Sequence, residues 1–175
     1  MGGYRDLLVY QQAVVIFDLN HVFCERYIDK RSRTFDQMIQ ADRSGKQNIV
    51  EGSLEKSLKS NIYLTGIARA SYGELLEDYS DFLRLQNLKL WDKNDQRILK
   101  IRATRVSSGS NLSNWSNWTN FPEAFANLMI TLLSRETYLL DQMLRSLEKR
   151  FVEDGGYTEN LYRKRVEYRK NNKLD

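Results

Sequence analysis

The stretch that decides the fold is SLKSNIYLTGIARASYGELLEDYSDFLRLQ, residues 57–86. The side chains that repeat there at steps of three and four residues are Leu58, Ile62, Thr65, Ala68, Tyr72, Leu75, Tyr79 and Phe82. This period places all of them on one face of an α-helix. Ser57 precedes the pattern and is a favourable N-cap, because its hydroxyl can accept a hydrogen bond from a free backbone N–H. The stretch therefore predicts one long helix whose apolar face is covered by other helices.

The same stretch carries a cluster of small residues. Gly66 and Gly73 each cost about 1 kcal/mol relative to alanine inside a helix. Ala68, Ala70 and Ser71 lie between them. We expect the close approach of a neighbouring helix to be the reason for both glycines.

Two helices are predicted before this stretch. Residues 7–28 carry two adjacent apolar strips at helical spacing, more than a helix on the outside of a monomer needs. This pattern indicates either deep burial or contact with a second subunit, and we expect oligomerisation. The second helix is predicted over 35–50, with Thr34 as its N-cap and Gly52 at the C′ position, where left-handed backbone ends a helix.

Three further helices are predicted after it. A short basic helix is expected over 95–105, followed by a Ser/Asn-rich polar loop over 107–120. An N-cap at Asn120 then begins a helix that runs to about Val152 and is stopped by two consecutive glycines. A last, basic helix is expected to start at Thr158.

The whole pattern predicts an all-α protein, an antiparallel four-helix bundle with a C-terminal helical extension. No stretch alternates apolar and polar residues as a strand does, and the chain holds one proline, which long helices tolerate badly. We expect a single domain over 1–175, made of core helices 1–3 over 1–92, a short basic helix and polar loop over 93–120, a long helix over 121–153 and a basic tail helix over 157–173.

Composition excludes several classes of protein. Of the 175 residues, 41% are hydrophobic and 29% charged, and no apolar run approaches the roughly 20 residues that a membrane-spanning helix needs. The start of the chain lacks the apolar segment of a secretion signal, so a cytoplasmic protein is expected. The single cysteine, Cys24, and single histidine, His21, exclude an internal disulfide and a Cys/His zinc cluster. No cofactor is expected.

Several short motifs in the first half of the chain resemble one known family. They are Tyr4-Arg5-Asp6-Leu7 with Tyr10-Gln11, the segment 37–44, Asn48-Ile49-Val50-Glu51-Gly52, and Ile67-Ala68-Arg69-Ala70-Ser71 with Glu74-Leu75. Their order and spacing resemble the bacterial four-helix-bundle family that includes proteins encoded within intervening sequences of 23S ribosomal RNA genes.

The rest of the chain is similar to the subgroup of that family with a four-helix-bundle suffix domain. The matching residues are Asp78-Tyr79, Asp81-Phe82-Leu83-Arg84, Trp91-Asp92, Tyr138-Leu139-Leu140-Asp141 and Phe151-Val152 with Gly155-Gly156. The resemblance implies a four-helix bundle, for some relatives a ring-shaped pentamer, and no catalytic residue. One related branch is the accessory protein of diversity-generating retroelements, which binds nucleic acid and its reverse transcriptase.

Polar residues on the second and third helices predict a structural hydrogen-bond network. Its members are Gln40, Ser44, Asn48, Glu51, Ser71 and Glu74. If they face the interior, each must find a hydrogen-bond partner or lose about 1–3 kcal/mol. The alternative is a surface for a ligand or a partner.

Four acids follow one face of the third helix, and we interpret them as a solvated or salt-bridged face. They are Glu74, Glu77, Asp78 and Asp81. Arg43 or Arg69 is the expected cationic partner. A carboxylate metal site is the alternative, but such sites in bundles also use Glu-x-x-His pairs, which the chain lacks.

Cys24 and His21 are three residues apart, as a thiol–imidazole catalytic pair could be. Both fall on an apolar strip, and no third orienting group is evident. We expect both side chains to pack in the core.

Basic residues outside the main apolar pattern predict a nucleic-acid interface. They are Arg97, Lys100, Arg102, Arg105, Arg163, Lys164, Arg165 and Arg169. Phosphates are attracted to such clusters without regard to base sequence. Tyr162 and Tyr168 could stack on exposed bases.

The resulting hypothesis is a non-enzymatic homo-oligomer, with a pentamer favoured, that binds RNA or DNA. The alternative is a protein-interaction adaptor, for example an accessory subunit of a reverse transcriptase or of another element-encoded enzyme. In that alternative the polar face of the second helix and the loop carrying Trp115 and Trp118 contact the partner.

Overall fold

The computed structural model of the protein describes residues 3–106 and 112–172. Helices, and no strand, make up the regular secondary structure of these residues, so the all-α prediction is confirmed for them. The α-helices are α1 (Leu8–Tyr27), α2 (Arg33–Leu54), α3 (Leu58–Leu85), α4 (Gln96–Ala103), α5 (Pro122–Asp154) and α6 (Tyr157–Asn171). Two short 3-10 helices occupy Tyr4–Asp6 and Leu112–Trp118.

The third helix is the one that the sequence predicted best. Ser57 caps α3 as expected, with its hydroxyl accepting a hydrogen bond from the backbone N–H of Ser60 at 3.4 Å. Of the eight side chains in the predicted pattern, the buried ones are Thr65, Ala68, Tyr72, Leu75 and Tyr79. The period of three and four residues therefore identified the buried face of α3.

The start and end of α2 differ from the prediction. The N-cap is Ser32 rather than Thr34, because the Ser32 hydroxyl accepts a hydrogen bond from the backbone N–H of Phe35 at 3.1 Å. Gly52 is a buried helical residue instead of the C′ residue, and α2 continues to Leu54. A Cβ at Gly52 would lie 3.0 Å from the side-chain oxygen of Asn61 on α3. The glycine thus allows close approach of α3 rather than ending the helix.

Gly45, which the sequence analysis did not single out, is a point of close contact between α2 and α3. A Cβ built on it would lie 2.6–2.9 Å from the fully buried ring of Tyr72. By contrast, a Cβ at Gly66 or Gly73 would meet nothing within 4 Å. The packing role predicted for those two glycines is therefore wrong within the protomer.

Glycines separate α5 from α6 as predicted. The N-cap of α5 is Phe121 rather than Asn120, with Pro122 in the first position of the helix. Gly155 ends α5 with a positive φ of 78°, a conformation that glycine adopts without steric cost. Gly156 caps α6 one residue earlier than expected, and its N–H donates to the Glu159 carboxylate at 2.9 Å.

The main core joins α1, α3 and α5, with α2 packed against α1 and α3. Phe23 of α1 lies at its centre, with ring centroids 4.7 Å from Tyr79, 4.9 Å from Phe82 and 5.2 Å from Phe125. Such edge-to-face pairs add to the burial of apolar area. Much of α1, including Ile16, Leu19 and Phe23, is buried within the protomer, which corresponds to the deep-burial interpretation of its two apolar strips.

Part of the predicted polar loop before α5 forms a short helix around an apolar anchor. Residues 107–111 lie outside the described part of the chain, whereas Leu112–Trp118 form a 3-10 helix in which Trp115 is completely buried. The alternative hypothesis needs this tryptophan at the surface, and its burial contradicts that point. In the described residues, no helix combines the length and apolar character needed to cross a lipid bilayer.

Candidate nucleic-acid interface

The first basic cluster lies on α4, which is held against α5 by two buried isoleucines. Ile98 and Ile101 face α5, and the Asp95 carboxylate caps the helix by accepting from the backbone N–H of Arg97 at 2.9 Å. An apolar stripe facing inwards leaves the charged residues of this short helix on its outer side.

Arg97 is fixed by local contacts. Its guanidinium donates to both oxygens of Asp95, at 3.0 and 2.7 Å, and its central carbon lies 3.7 Å from the Trp91 ring centroid. These hydrogen bonds lower the pKa of Asp95 to about 2. The charge of Arg97 is therefore largely balanced before any phosphate approaches.

The other three cations of this cluster are less constrained. Lys100, Arg102 and Arg105 are exposed, and within the described residues none of them forms an ion pair. Arg102 makes one long contact, 3.4 Å, to the backbone carbonyl of Lys93. These three side chains can bind an anion without first breaking an ion pair.

The second basic cluster lies on α6, a helix with no buried residue. Lys164, Arg165 and Arg169 are exposed and take part in none of the ion pairs among the described residues. Arg163 is partly engaged, because it donates to the Asp154 carbonyl and to the Asn160 side chain. Tyr162 and Tyr168 are each 69% exposed, so both rings are accessible for stacking.

The structure does not bring the two basic clusters together on one protomer. A hydrogen bond of 3.2 Å from Arg135 to the Thr104 carbonyl fixes the end of α4 near the middle of α5. α6 begins only after Asp154, 19 residues further along α5, which is about 28 Å of helix. A single ligand that contacts both clusters of one chain must therefore span that distance.

The segment between α3 and α4 is fastened to the start of α5. Glu123 accepts from the Trp91 indole at 2.8 Å and from the Lys89 backbone N–H at 3.1 Å. Asn127 accepts from the Trp91 backbone N–H at 2.8 Å and donates to the Lys89 carbonyl at 2.9 Å. The Trp91 and Lys89 hydrogen bonds lower the pKa of Glu123. These contacts set the position of α4 and hence of the first cluster.

Only part of the predicted polar network exists. The hydroxyls of Ser44 and Ser71 are 2.9 Å apart, and Asn48 donates to the Ser44 carbonyl at 2.8 Å. The remaining predicted members are Gln40, Glu51 and Glu74. All three are exposed, and no described hydrogen bond joins them to Ser44, Ser71 or Asn48. The predicted six-residue network is therefore wrong, because half of its members point to solvent.

Four of the six predicted network residues instead line an open groove between α2 and α3, with a volume of about 620 Å³. They are Gln40, Ser44, Ser71 and Glu74. Gln37, Ala41, Glu77 and Asp78 complete its walls. Small side chains lie at its base and acids along one rim. The alternative prediction, a surface for a partner, fits this geometry better than an internal network does.

Arg69, one of the two predicted cationic partners of the acidic row, is bound elsewhere. Arg69 forms a bidentate ion pair with Asp141 of α5, so its assignment to the row is wrong. Asp81 pairs with Arg84 at 2.8 Å, whereas the described ion pairs include none for Glu74, Glu77 or Asp78. Partial burial, together with the charges of Asp81 and Glu74, raises the pKa of Asp78.

Two carboxylic acids that the sequence analysis did not select lie in the core. Asp42 of α2 and Glu136 of α5 are both 0% exposed, and their carboxylate oxygens have no hydrogen-bond partner among the described residues. Burial raises the pKa of Asp42 to about 8 and that of Glu136 well above its usual range. The Tyr72 hydroxyl is likewise buried without a partner. Asp42 is therefore expected to be mostly protonated at or below neutral pH, and the pKa of Glu136 shifts in the same direction.

A signal for both acids was present in the sequence. Asp42 continues the spacing of Met38, Gly45 and Ile49 at steps of four and three, and Glu136 falls between Leu132 and Leu140 in the same way. An acid in the apolar register of a helix indicates a buried carboxyl.

Cys24 packs in the core as expected. Its thiol lies 3.6 Å from the Asn20 side-chain oxygen, which also accepts from the Tyr79 hydroxyl at 2.8 Å. Burial, followed by the charges of Asp42 and Asp78, raises the pKa of the thiol to about 12. His21 is only half-buried, so its predicted place in the core is wrong, and its Nδ1 lies 2.9 Å from the Phe17 carbonyl oxygen. The geometry gives no thiolate–imidazole pair.

Among the residues described, no three histidine, cysteine or acidic side chains converge as metal ligands would. Comparisons with protein-family models, with curated proteins and with solved structures find no match.

Proposed function

We propose that the protein is a homo-oligomer, with a pentamer favoured, that binds RNA or DNA through basic surface clusters and does not catalyse a reaction. The observation that carries this proposal is α6, which contributes no buried residue yet presents exposed cations and three exposed tyrosines. A helix that adds nothing to the core is explained by what it contacts outside the protomer.

The proposal includes an antiparallel four-helix bundle of α1, α2, α3 and α5, and membership of the family that the sequence resembles. Contacts between helix ends support the arrangement. Asn20, near the end of α1, donates to the carbonyl of Met38 near the start of α2, and accepts from Tyr79 near the end of α3. Phe23 packs on Phe125 near the start of α5. Neighbouring ends of this kind are those of helices that alternate in direction.

Phosphate contacts would supply most of the affinity. Lys100, Arg102 and Arg105 on α4, with Arg169 and Lys170 on α6, are exposed cations free of described ion pairs. Each phosphate neutralised releases condensed counterions, so binding weakens as salt rises. Because α4 and α6 are far apart on one chain, an oligomer that repeats both clusters would strengthen otherwise weak contacts.

The experiment is fluorescence anisotropy with a labelled structured RNA and a matched DNA duplex over a salt series. We expect binding that weakens with salt, and two charge-reversal variants, K100E/R102E and R169E/K170E, that each reduce the log–log slope by roughly 2. K56E/K59E makes a charge change of the same size at two exposed lysines outside both clusters, and it serves as the matched control. Absence of binding by the wild-type chain at about 50 mM salt would contradict the proposal.

The groove between α2 and α3 favours the second candidate, an adaptor for a reverse transcriptase or another element-encoded enzyme. Its exposed polar rim and small base suit a protein segment better than a nucleic acid, because the acids on the rim repel phosphate. Loss of partner capture in Q37A/Q40A, with capture retained in K56E/K59E, is the expected outcome for this candidate.

A further inference from the structure

The exposed face of α6 carries apolar and basic residues in one stripe. At 100° per residue this face contains Tyr157, Leu161, Lys164, Arg165 and Tyr168. Tyr157 is 44% exposed, Leu161 is 49% exposed and Tyr168 is 69% exposed. A helix face with three large apolar groups in water and two cations between them is typical of a docking element.

The groove between α2 and α3 has the complementary character. Glu74, Glu77 and Asp78 line one side, and Ala41 and Ser44 give the base room for a second helix. A second recess of about 300 Å³ shares Asp78 and continues the groove towards Ile28, Phe82 and Leu85, which offer apolar surface. Acids therefore lie beside the centre of the combined groove and recess, and apolar groups lie at one end of it.

The lengths of the two surfaces match. From Ser32 to Ser44, the α2 residues that line the two recesses cover about 18 Å of helix. From Tyr157 to Tyr168, the α6 stripe covers about 16 Å. The two cations of the stripe therefore reach the acids while an end tyrosine reaches the apolar recess.

α6 cannot reach the groove of its own chain. Arg69 pairs with Asp141, and the start of α5 lies beside the end of α3, so α5 runs towards the start of α3. Asp154 lies about 20 Å past that ion pair, whereas Glu74 lies on its other side. Even if α6 folded straight back, Lys164 would stop about 15 Å short of Glu74.

The geometry points to docking of the α6 stripe of one molecule in the α2–α3 groove of a second copy of the same chain. Lys164 and Arg165 pair with Glu74, Glu77 and Asp78 of that copy, and a tyrosine enters the apolar recess. The two surfaces are different, so each copy offers one of each, and the contact repeats into a closed ring or a filament.

This inference deepens the proposed function and rests on one part of it, the homo-oligomer, whose interface it names. The docked stripe excludes Arg163, Arg169 and Lys170, which lie on the flank and far side of α6 and stay exposed to nucleic acid. Charge complementarity of this kind selects the partner and the orientation of docking.

Light scattering after size exclusion, on the full chain at low and high salt, tests the inference. The wild-type mass is expected to be a multiple of the 20.7 kDa protomer. K164E/R165E and E74K/E77K should each weaken self-association by about a hundredfold or more, because like charges then face one another. The matched control K56E/K59E should assemble like the wild type.

The chain that carries all four substitutions gives the decisive outcome. Its α6 stripe is acidic and its groove basic, so opposite charges face one another again between identical copies, and it should recover the wild-type mass in a ring of any size. A monomeric wild-type chain, unchanged assembly of K164E/R165E, or no recovery in the chain with all four substitutions would overturn the inference. Anisotropy on the same samples separates the two proposals, because assembly without RNA or DNA binding contradicts the proposed function alone.

Discussion

Asp42 and Glu136 are buried carboxylic acids whose oxygens have no hydrogen-bond partner among the described residues. Each carboxyl is enclosed by a core that holds Tyr72 and, at its edge, Arg135, whose Nε donates to Gln12 rather than to either acid. A buried carboxylate without hydrogen bonds is costly, so the proton is retained and the pKa rises. These two side chains link the stability of the fold to pH.

The first prediction follows from Asp42. The raised folded pKa of about 8 exceeds the ordinary value of 3.8, so the folded protein holds a proton that the unfolded chain releases between those values. The free energy of unfolding should therefore fall as pH rises from 5 to 8. D42N should show a smaller fall, because its amide carries no charge at either pH. Urea denaturation followed by circular dichroism measures this, with D36N, exposed on the same helix, as the control. Wild-type stability that rises over this range would contradict the prediction.

The second prediction contrasts two glycines. G45A should destabilise the protein by about 1–3 kcal/mol, since its new methyl group meets the buried Tyr72 ring. G66A should instead stabilise it by up to about 1 kcal/mol, because nothing obstructs the methyl group and alanine favours the helix. Thermal and urea unfolding of both variants provides the comparison. Equal effects of the two substitutions would show that the α2–α3 approach is not the reason for Gly45.

At the scale of elements, α4 is positioned by the segment before it and by α5 rather than by its own helix propensity. Eight residues are too few for a stable isolated helix. Its anchors are Ile98 and Ile101, together with the Trp91 segment held by Glu123 and Asn127. The direction in which the α4 cations project therefore depends on hydrogen bonds to α5.

The third prediction concerns this fastening. N127A should cost about 2 kcal/mol, because the backbone N–H of Trp91 and the carbonyl of Lys89 both lose a buried partner. Tryptophan fluorescence during urea unfolding reports on the segment directly. N120A removes an exposed asparagine just before the same helix and should change stability little. An N127A protein as stable as N120A would mean that the segment is held by apolar packing alone.

At the scale of the whole molecule, the described core lies in the segments before α6. No residue of α6 is buried, whereas α1, α2, α3 and α5 all contribute to the interior. Exposed surface on an element that adds little to folding is the surface that a protein can use for partners.

The fourth prediction is that a chain ending at Gly156 keeps its fold but loses its intermolecular contacts. At low protein concentration its melting temperature should stay close to that of the wild type, since the removed helix holds no buried residue. Anisotropy should show weaker RNA and DNA binding, and light scattering should show loss of self-association. Collapse of the helical circular dichroism signal would show that α6 stabilises the protomer instead.

Helix positions followed from the sequence because the relevant information is local. The period of three and four residues in α3 and the glycines after α5 act over a few residues, so α3 and the end of α5 were predicted nearly to the residue. The start of α2 was harder to predict, because Ser32 and Thr34 can both accept a hydrogen bond from the free backbone N–H groups there. The sequence alone does not decide which of the two is the N-cap, which in the structure is Ser32.

Tertiary structure alone decided which helix faces meet. The period of α2 shows a stripe that contains Gly45 and Asp42. Only the packing of the Tyr72 ring makes Gly45 a close contact, and only enclosure in the core raises the pKa of Asp42. The two basic clusters are likewise evident in the sequence, while their separation depends on the length and direction of α5. Local patterns determine helices, but contacts between residues distant in the chain depend on how those helices pack.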